Sequence, residues 1–221
     1  MDAKTLIACR AAQELKDGDV VNLGIGLPTM IPDFLPEGIH ITLQSENGFL
    51  GLGPLTGEPI PNLVNAGGKP CGMVPGTAFF DSALSFAIIR GGHVDVTVLG
   101  GLQVDQQGNL ANWMVPGKMV PGMGGAMDLV TGAKNVIVAM EHSTRDGGAK
   151  ILRYCDLPLT AAGKVKAIAT ELAFFRFIDG VLTLTETAPG VSIETIRSRT
   201  EAEFVVSPDC HEMRLPSCAD R

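Results

Sequence analysis

The fold class is decided by residues 20–29, which read VVNLGIGLPT. The apolar run Val20–Leu23 predicts a short strand, and the glycines that follow it predict a tight turn. Pro28 fits the first turn of a helix, where a missing N–H costs nothing, so a helix is predicted from there to about Leu35. A strand, a glycine turn and a helix in this order are typical of an α/β sheet.

The same alternation continues along the chain on both sides of this unit. Helices are predicted after Asp2 and over Asp81–Arg90, and strands over Val94–Leu99 and Val136–Met140. Asp179-Gly180 separates two alternating apolar runs, which predicts an antiparallel hairpin near the C-terminus. We therefore predict an open, mostly parallel sheet that is flanked by helices.

Length and composition narrow the class of protein. The 221 residues suit one domain, predicted over 1–207, with a disordered tail over 208–221. A net charge of -7 argues against general binding to nucleic acid or to a membrane surface. The five cysteines lack CxxC or metal spacing, and no signal peptide or membrane span is evident. These features predict reduced thiols and a cytoplasmic location.

Glu46 is the most unusual polar residue of the predicted sheet. It follows the alternating run Ile39–Leu43, which predicts a strand, and it precedes Asn47-Gly48, which favours a turn. The carboxyl ends of strands in an open α/β sheet meet a ligand crevice. This stretch alone is equally compatible with a functional carboxylate and with a surface glutamate that caps a turn.

Two glycine segments are candidate ligand loops. Gly24-Ile25-Gly26 follows a strand as in a dinucleotide fingerprint, but Thr29 replaces the third glycine and Pro28 removes a helix amide. A tight turn lining a crevice is therefore favoured over an NAD site. Residues 122–128, GMGGAMD, could turn backbone N–H groups toward one oxyanion. The alternative for this second segment is a plain glycine loop.

Residues 43–51, LQSENGFLG, resemble the active-site signature of family I coenzyme A (CoA) transferases. The resemblance is to the B (beta) chain of the acetate/acetoacetate and 3-oxoacid type, and it extends to about Ser207. Residues 22–28, 89–95, 112–120 and 122–128 support it. It implies a CoA-transferase/NagB-like fold that moves CoA between an acyl-CoA and a short-chain carboxylate.

The resemblance also implies residue roles. Glu46 would be the nucleophile that forms an acyl–glutamyl anhydride and then a glutamyl-CoA thioester. The amide of Gly125 would stabilise an oxyanion, and neighbouring amides with Asn47 would offset the burial of Glu46. The residues assigned to binding of substrate or CoA are Gly24, Gly26, Asn47, Gly124 and Lys118. For Lys118, a solvated loop lysine is the alternative.

The same resemblance implies no metal and no resident cofactor, because CoA is itself a substrate. It implies a separate A (alpha) subunit that completes the site, as an α2β2 heterotetramer or similar, with acetate, acetoacetate, butyrate or succinate as the carboxylate. Two other functions stay open. One is a thioester hydrolase in which water resolves the glutamyl intermediate, and the other is a non-enzymatic binding or regulatory protein with an inactive site.

Overall fold

The computed structural model describes residues 1–117 and 122–215 as an α/β protein. The α-helices are α1 (Ala3–Ala12), α2 (Ser82–Arg90), α3 (Ala126–Gly132) and α4 (Ile193–Ser198), and a 3₁₀ helix spans Leu27–Phe34. The strands are β1 (Val20–Leu23), β2 (Thr42–Ser45), β3 (Phe49–Gly53), β4 (Gly72–Phe79), β5 (Val96–Leu99), β6 (Gln103–Asp105), β7 (Leu110–Ala111), β8 (Asn135–Ala139), β9 (Ile151–Leu152), β10 (Ala167–Ala169), β11 (Ala173–Ile178), β12 (Val181–Thr187) and β13 (Val205–Glu212).

Ten of the strands in the described residues form one sheet, in the order β13-β12-β11-β10-β8-β5-β1-β2-β3-β4. The middle strands, from β10 to β2, run parallel, so their carboxyl ends reach the same edge. β3 and β4 continue antiparallel beyond β2, and β11 and β12 do so beyond β10. The predicted sheet is thereby confirmed, and so is the C-terminal hairpin. β6, β7 and β9 form a small separate sheet.

The two faces of the large sheet bury separate hydrophobic clusters. α1 and the 3₁₀ helix cover one face, where Ile7 and Ile31 are fully buried with Val98. α2, α3 and α4 cover the other face, where Ile89 and Leu129 are buried. All four residues of β5 are buried, as expected for a central parallel strand that is covered on both faces.

Several predicted boundaries are wrong for identifiable reasons. The strand before Glu46 begins at Thr42 and not at Ile39. The helix after Gly26 is a 3₁₀ helix, since it contains Pro32 as well as Pro28 and a proline inside an α-helix removes a hydrogen bond. The glycine and proline residues of Gly48–Pro61 predict a loop, but the first part of this segment forms β3, which pairs with both adjacent strands.

The C-terminal prediction also needs correction. A disordered tail is expected from Pro208, but β13 runs through Glu212 beside β12. Met213 is buried, and its N–H donates to the carbonyl of Thr187 over 2.8 Å. A last strand is predicted from the sequence only over Phe204–Val206. The polar residues that follow hide its continuation, because pairing with β12 and not apolar alternation holds them in place. Residues 216–221 of the predicted tail lie outside the described residues.

Among the residues described, no helix is both long enough and apolar enough to cross a membrane.

Candidate active site

Glu46 lies in the three-residue turn that joins β2 to β3. The two strands pair antiparallel with Ser45 opposite Phe49, so the chain reverses within Glu46-Asn47-Gly48. Gly48 has a φ of 126°, and a Cβ there would lie 2.2 Å from the carbonyl oxygen of Phe80. Only glycine fits this position. The turn therefore holds Glu46 at the carboxyl end of β2, as predicted.

The turn is also tied to the segment that leads into β4. The Asn47 side-chain amide donates to the carbonyl of Val64 over 2.8 Å, and the Ser45 hydroxyl donates to Asn47 Oδ1 over 2.5 Å. The N–H of Ala66 donates to Ser45 Oγ over 3.2 Å. Asn47 is thus engaged with the neighbouring loop, and the expectation that its side chain offsets the burial of Glu46 is wrong.

The backbone of Gly125 meets the carboxylate directly. The N–H of Gly125 donates a hydrogen bond to Glu46. A Cβ on Gly125 would lie 2.8 Å from Glu46 Oε2, and one on Gly124 would lie 3.9 Å from Oε1. Gly125 is the N-cap of α3 and has ordinary backbone angles, with φ at -80°. Gly125 is therefore needed for the close approach of the carboxylate, and the contact brings two distant sequence segments together.

The electrostatic environment makes Glu46 harder to ionise. Burial raises its pKa, the hydrogen bond from Gly125 opposes that rise, and the nearby Asp128 carboxylate adds to it. Asp128 lies in the first turn of α3 and pairs with Arg90 Nε of α2 at 2.7 Å. A half-buried carboxylate with a raised pKa is typical of a reactive group more than of a surface turn.

The remaining predicted binding residues have different surroundings in the structure. Gly24 is packed against β5, since a Cβ there would lie 3.2 Å from the Leu99 side chain. Gly26 caps the 3₁₀ helix with a φ of 92° and lines an open cavity. Lys118 lies outside the described residues. The roles of Gly24, Gly26, Asn47 and Gly124 in ligand binding stay predictions.

A mainly apolar cavity of about 510 Å³ lies beside the turn, and Gly26 lines it, as predicted for the glycine turn after β1. Gln44 and Ser45, which immediately precede Glu46, form part of its wall. The rest comes from the end of β1, the 3₁₀ helix and the loops around β3, with Lys69 as a basic residue in the wall. Because the other walls come from segments far apart in the chain, no local pattern indicates the full lining of the cavity.

His142 illustrates a polar residue with a structural role. It is fully buried, and its two ring nitrogens bond to Thr170 Oγ1 and Thr200 Oγ1, each at 2.9 Å. Burial lowers the pKa of His142 to about 4, with Arg199 and Lys150 adding to that effect. The ring is therefore neutral and fixed by two hydroxyls, as expected for a histidine that is not assigned to catalysis.

Comparisons with known proteins find relatives over nearly the whole chain. The chain is 68% identical over 214 residues to the beta chain of the acetate CoA-transferase of Escherichia coli (strain K12), covering 97% of this chain and 99% of that protein. It is 53% identical over 208 residues to the B chain of the probable succinyl-CoA:3-ketoacid coenzyme A transferase of Bacillus subtilis (strain 168), covering 93% and 96%. Both relatives carry names that designate one subunit of a larger enzyme.

A solved structure shows the same fold. The acyl-CoA transferase apoenzyme from Escherichia coli O157:H7 superposes with a TM-score of 0.78 at 25% identity. That match covers 99% of this chain but only 45% of the solved chain, so our chain spans less than half of it. A family model described as coenzyme A transferase matches residues 4–199. The chain therefore belongs to the coenzyme A transferase family.

Proposed function

We propose that this chain is the subunit that supplies the nucleophile of a CoA-transferase acting on short-chain carboxylates. The observation that carries the proposal is the meeting of the Glu46 carboxylate with the Gly125 N–H at the carboxyl end of β2. The names of the relatives, which mention acetate, succinyl-CoA and 3-ketoacids, support carboxylates of this class. CoA is a substrate of this reaction, and no resident cofactor is proposed.

The first half-reaction begins with attack of a Glu46 oxygen on the thioester carbonyl of the acyl-CoA. The C–S bond breaks, CoA leaves as a thiolate, and an acyl–glutamyl anhydride remains. The thiolate then attacks the carboxyl carbon of Glu46, which forms the glutamyl-CoA thioester and releases the first carboxylate. A carboxylate is a weak nucleophile, but the anhydride it forms is activated, so one difficult transfer becomes several easier steps.

The second half-reaction reverses these steps with a new carboxylate. The acceptor attacks the carbonyl of the glutamyl thioester and releases the thiolate, which then attacks the acceptor's acyl carbon. The new acyl-CoA leaves and the Glu46 carboxylate is restored. Electrons and atoms balance without any other reactant.

Gly125 has a specific role in these reaction steps. Its N–H already donates to a carboxylate oxygen of Glu46. The same N–H is therefore close to the oxyanion that forms whenever the carboxyl carbon of Glu46 is attacked. Donors fixed in advance at a developing oxyanion lower the barrier, typically by about 3 kcal/mol each. A side chain at position 125 would take the space of the carboxylate.

We propose a second, alpha-type subunit as the partner that completes the site. The relatives are named as the beta or B component of their enzymes, and this chain spans less than half of the solved acyl-CoA transferase chain. Both covalent intermediates hydrolyse readily, and an interface between two chains would exclude water. An α2β2 assembly and a cytoplasmic location are parts of this proposal.

Covalent labelling of Glu46 tests the proposal. The chain is co-expressed with its partner, incubated with an acyl-CoA and treated with hydroxylamine or borohydride, and the peptides are mapped by mass spectrometry. We expect modification of Glu46 alone. The Glu46→Gln variant should take up no label, whereas Glu58→Gln, a change in the loop after β3, should be labelled like the unaltered enzyme.

Two outcomes would contradict the proposal. Label on another residue would assign the nucleophile elsewhere, and transfer activity that persists in Glu46→Gln would remove the covalent route. Release of free CoA at the same rate with and without a carboxylate acceptor would instead identify a thioester hydrolase.

A further inference from the structure

Three buried polar side chains lie next to the turn that carries Glu46. Asn22 of β1 and Gln44 of β2 are each only 3% exposed, and Ser85 of α2 is completely buried. None of the three has a role in the chemistry described above. Buried polar groups are costly unless they are paired, so a set of them at this place in the fold needs an explanation.

The three side chains are joined by hydrogen bonds. The Asn22 amide donates to Gln44 Oε1 over 2.6 Å, and Gln44 Nε2 donates to Ser85 Oγ over 2.9 Å. The Ser85 hydroxyl donates to the carbonyl oxygen of Ser45 over a longer distance of 3.4 Å. Helix α2 is therefore hydrogen-bonded to the two residues that precede Glu46.

The same helix is closely packed against α3. Gly132 of α3 has no room for a side chain, since a Cβ there would lie 2.1 Å from the carbonyl oxygen of Ile89 in α2. At the same end of α2, Arg90 Nε pairs with Asp128 of α3 at 2.7 Å. The separation of the two helices is fixed, because their backbones are in contact and an ion pair joins them.

These contacts close a ring that contains the two groups of the candidate active site. Helix α3 begins after its N-cap Gly125, whose N–H donates to Glu46. From Glu46 the ring passes along β2 to Gln44, then through Ser85 to α2, on to α3, and back to Glu46 through Gly125. The link between β2 and α2 in this ring is the hydrogen bond from Gln44 to Ser85.

We propose that Gln44 and Ser85 are positioning residues for the reaction at Glu46. They fix α2, and with it α3, relative to β2, and so they set the distance from the Glu46 carboxylate to the Gly125 N–H. Both are buried, so they act through the protein and not by contact with the substrate. A displacement of about 1 Å at reacting groups can cost on the order of 100-fold in rate. This inference rests on the proposed function, because it takes Glu46 as the reacting group.

Removal of the Ser85 hydroxyl tests the proposal in the assembled enzyme. Ser85→Ala should lower kcat roughly 10- to 100-fold and leave the KM for acyl-CoA nearly unchanged, because the displaced groups are those that react. Gln44→Met keeps an unbranched side chain of similar volume but loses both hydrogen bonds, and it should have the same effect. A normal kcat in both variants would overturn the proposal.

Thr97 provides a matched control. It is fully buried on β5 and is the register partner of Asn22, but its hydroxyl has no hydrogen-bond partner in the part of the chain that the structure describes. Thr97→Val should leave kcat and KM unchanged. A fall in kcat as large as that of Ser85→Ala would show that the loss is not specific to the ring, and would overturn the proposal.

A double-mutant cycle separates positioning from a general loss of structure. If Ser85 acts through the contact between Glu46 and Gly125, its effect should disappear once Gly125→Ala has disrupted that contact. In that background, Ser85→Ala should lower kcat by less than about twofold. A double variant whose loss equals the product of the two single losses would show independent effects and would contradict the positioning role.

The pKa of Glu46 separates this inference from the proposed function, because its measurement requires no turnover. The hydrogen bond from Gly125 lowers this pKa, whereas burial and Asp128 raise it. Loosening that bond in Ser85→Ala should therefore raise the pKa of Glu46. Carbon-13 NMR of labelled glutamates, assigned with Glu46→Gln, follows the titration. A raised pKa supports the positioning role even if Glu46 proves not to be the nucleophile, and an unchanged pKa contradicts it even if labelling of Glu46 succeeds.

Discussion

The protein contains two tight antiparallel turns that are built on different principles. The turn between β11 and β12 consists of Asp179 and Gly180, with φ values of 51° and 80°. Both angles suit a two-residue hairpin, and the local sequence specifies it. The turn between β2 and β3, over residues 46–48, is held by partners that are distant in sequence: Val64, Phe80 and Gly125.

This difference shows what the turn at Glu46 requires. A turn that is stable on its own leaves its side chains free in solvent, as the exposed Asp179 is. The turn at Glu46 instead fixes one carboxylate against one backbone N–H. Sites that must hold reacting groups to a fraction of an ångström need support from surrounding residues. If the two turns differ in this way, equivalent substitutions in the two turns should have unequal effects on stability and on activity.

Adding a methyl group to each turn should give the largest contrast. Gly48→Ala places a Cβ 2.2 Å from the carbonyl oxygen of Phe80 at a φ of 126°, so we expect a loss of at least about 4 kcal/mol in the free energy of unfolding. Gly180→Ala meets nothing within 4 Å and should cost only about 1–2 kcal/mol, the strain of a left-handed residue. Urea denaturation measures both, and equal losses would contradict the distinction.

A change at Gly125 should affect activity more than stability. The Cβ of Gly125→Ala would lie 2.8 Å from Glu46 Oε2, but the end of the glutamate side chain can move away. We expect a fall in kcat of about 100-fold, or roughly 2.7 kcal/mol, through loss of the aligned hydrogen bond. The midpoint of thermal unfolding should change little. A variant with normal kcat would show that the contact between the two segments is not needed.

The sequence predicted those parts of the site that depend on short segments. Glu46 and Gly125 each lie in a recognisable stretch, and β5 and β8 are apolar because both of their faces are buried. The position of Asn47 was predicted, but its partner Val64 was not, since that contact depends on how the chain returns before β4. A crevice lined by the glycine turn after β1 was predicted, but most of its lining residues were not, for the same reason. The start of β13 was predicted over Phe204–Val206, but its continuation to Glu212 was not, because those polar residues are held by pairing with β12.

The pH dependence of transfer should reflect the surroundings of Glu46. Burial and Asp128 raise the pKa of Glu46, and the nucleophile must be ionised to react. As the pH is lowered, kcat/KM should therefore begin to fall at a higher pH than it would for a glutamate with an ordinary pKa. Asp128→Asn removes the like charge and should move this acid limb to lower pH. Asp179→Asn, in the other turn, should leave it in place. An acid limb that is the same in all three proteins would contradict this assignment.

The smallest expected effect is on stability, and its sign follows from the same pKa. Because the pKa of Glu46 is higher in the folded chain than in the unfolded chain, the ionised carboxylate destabilises the fold. This destabilisation is fully present at pH values above the pKa of Glu46 in the folded chain, and it disappears at pH values below the pKa of Glu46 in the unfolded chain. Glu46→Gln should therefore be more stable than the unaltered protein at neutral pH, with a small rise in Tm that solvent screening of the partly exposed carboxylate limits. The gain should vanish near pH 4, close to the ordinary glutamate pKa of about 4.3.

The other turn supplies the control for this last effect. Asp179→Asn should show no such gain, because Asp179 is exposed and has no burial to relieve. Thermal unfolding of the three proteins at neutral pH and near pH 4 measures the difference. A Glu46→Gln protein that is less stable than the unaltered protein at neutral pH would contradict this prediction. It would mean that the Gly125 hydrogen bond outweighs the burial of the charge, so that the carboxylate stabilises the turn at Glu46 and does not destabilise it.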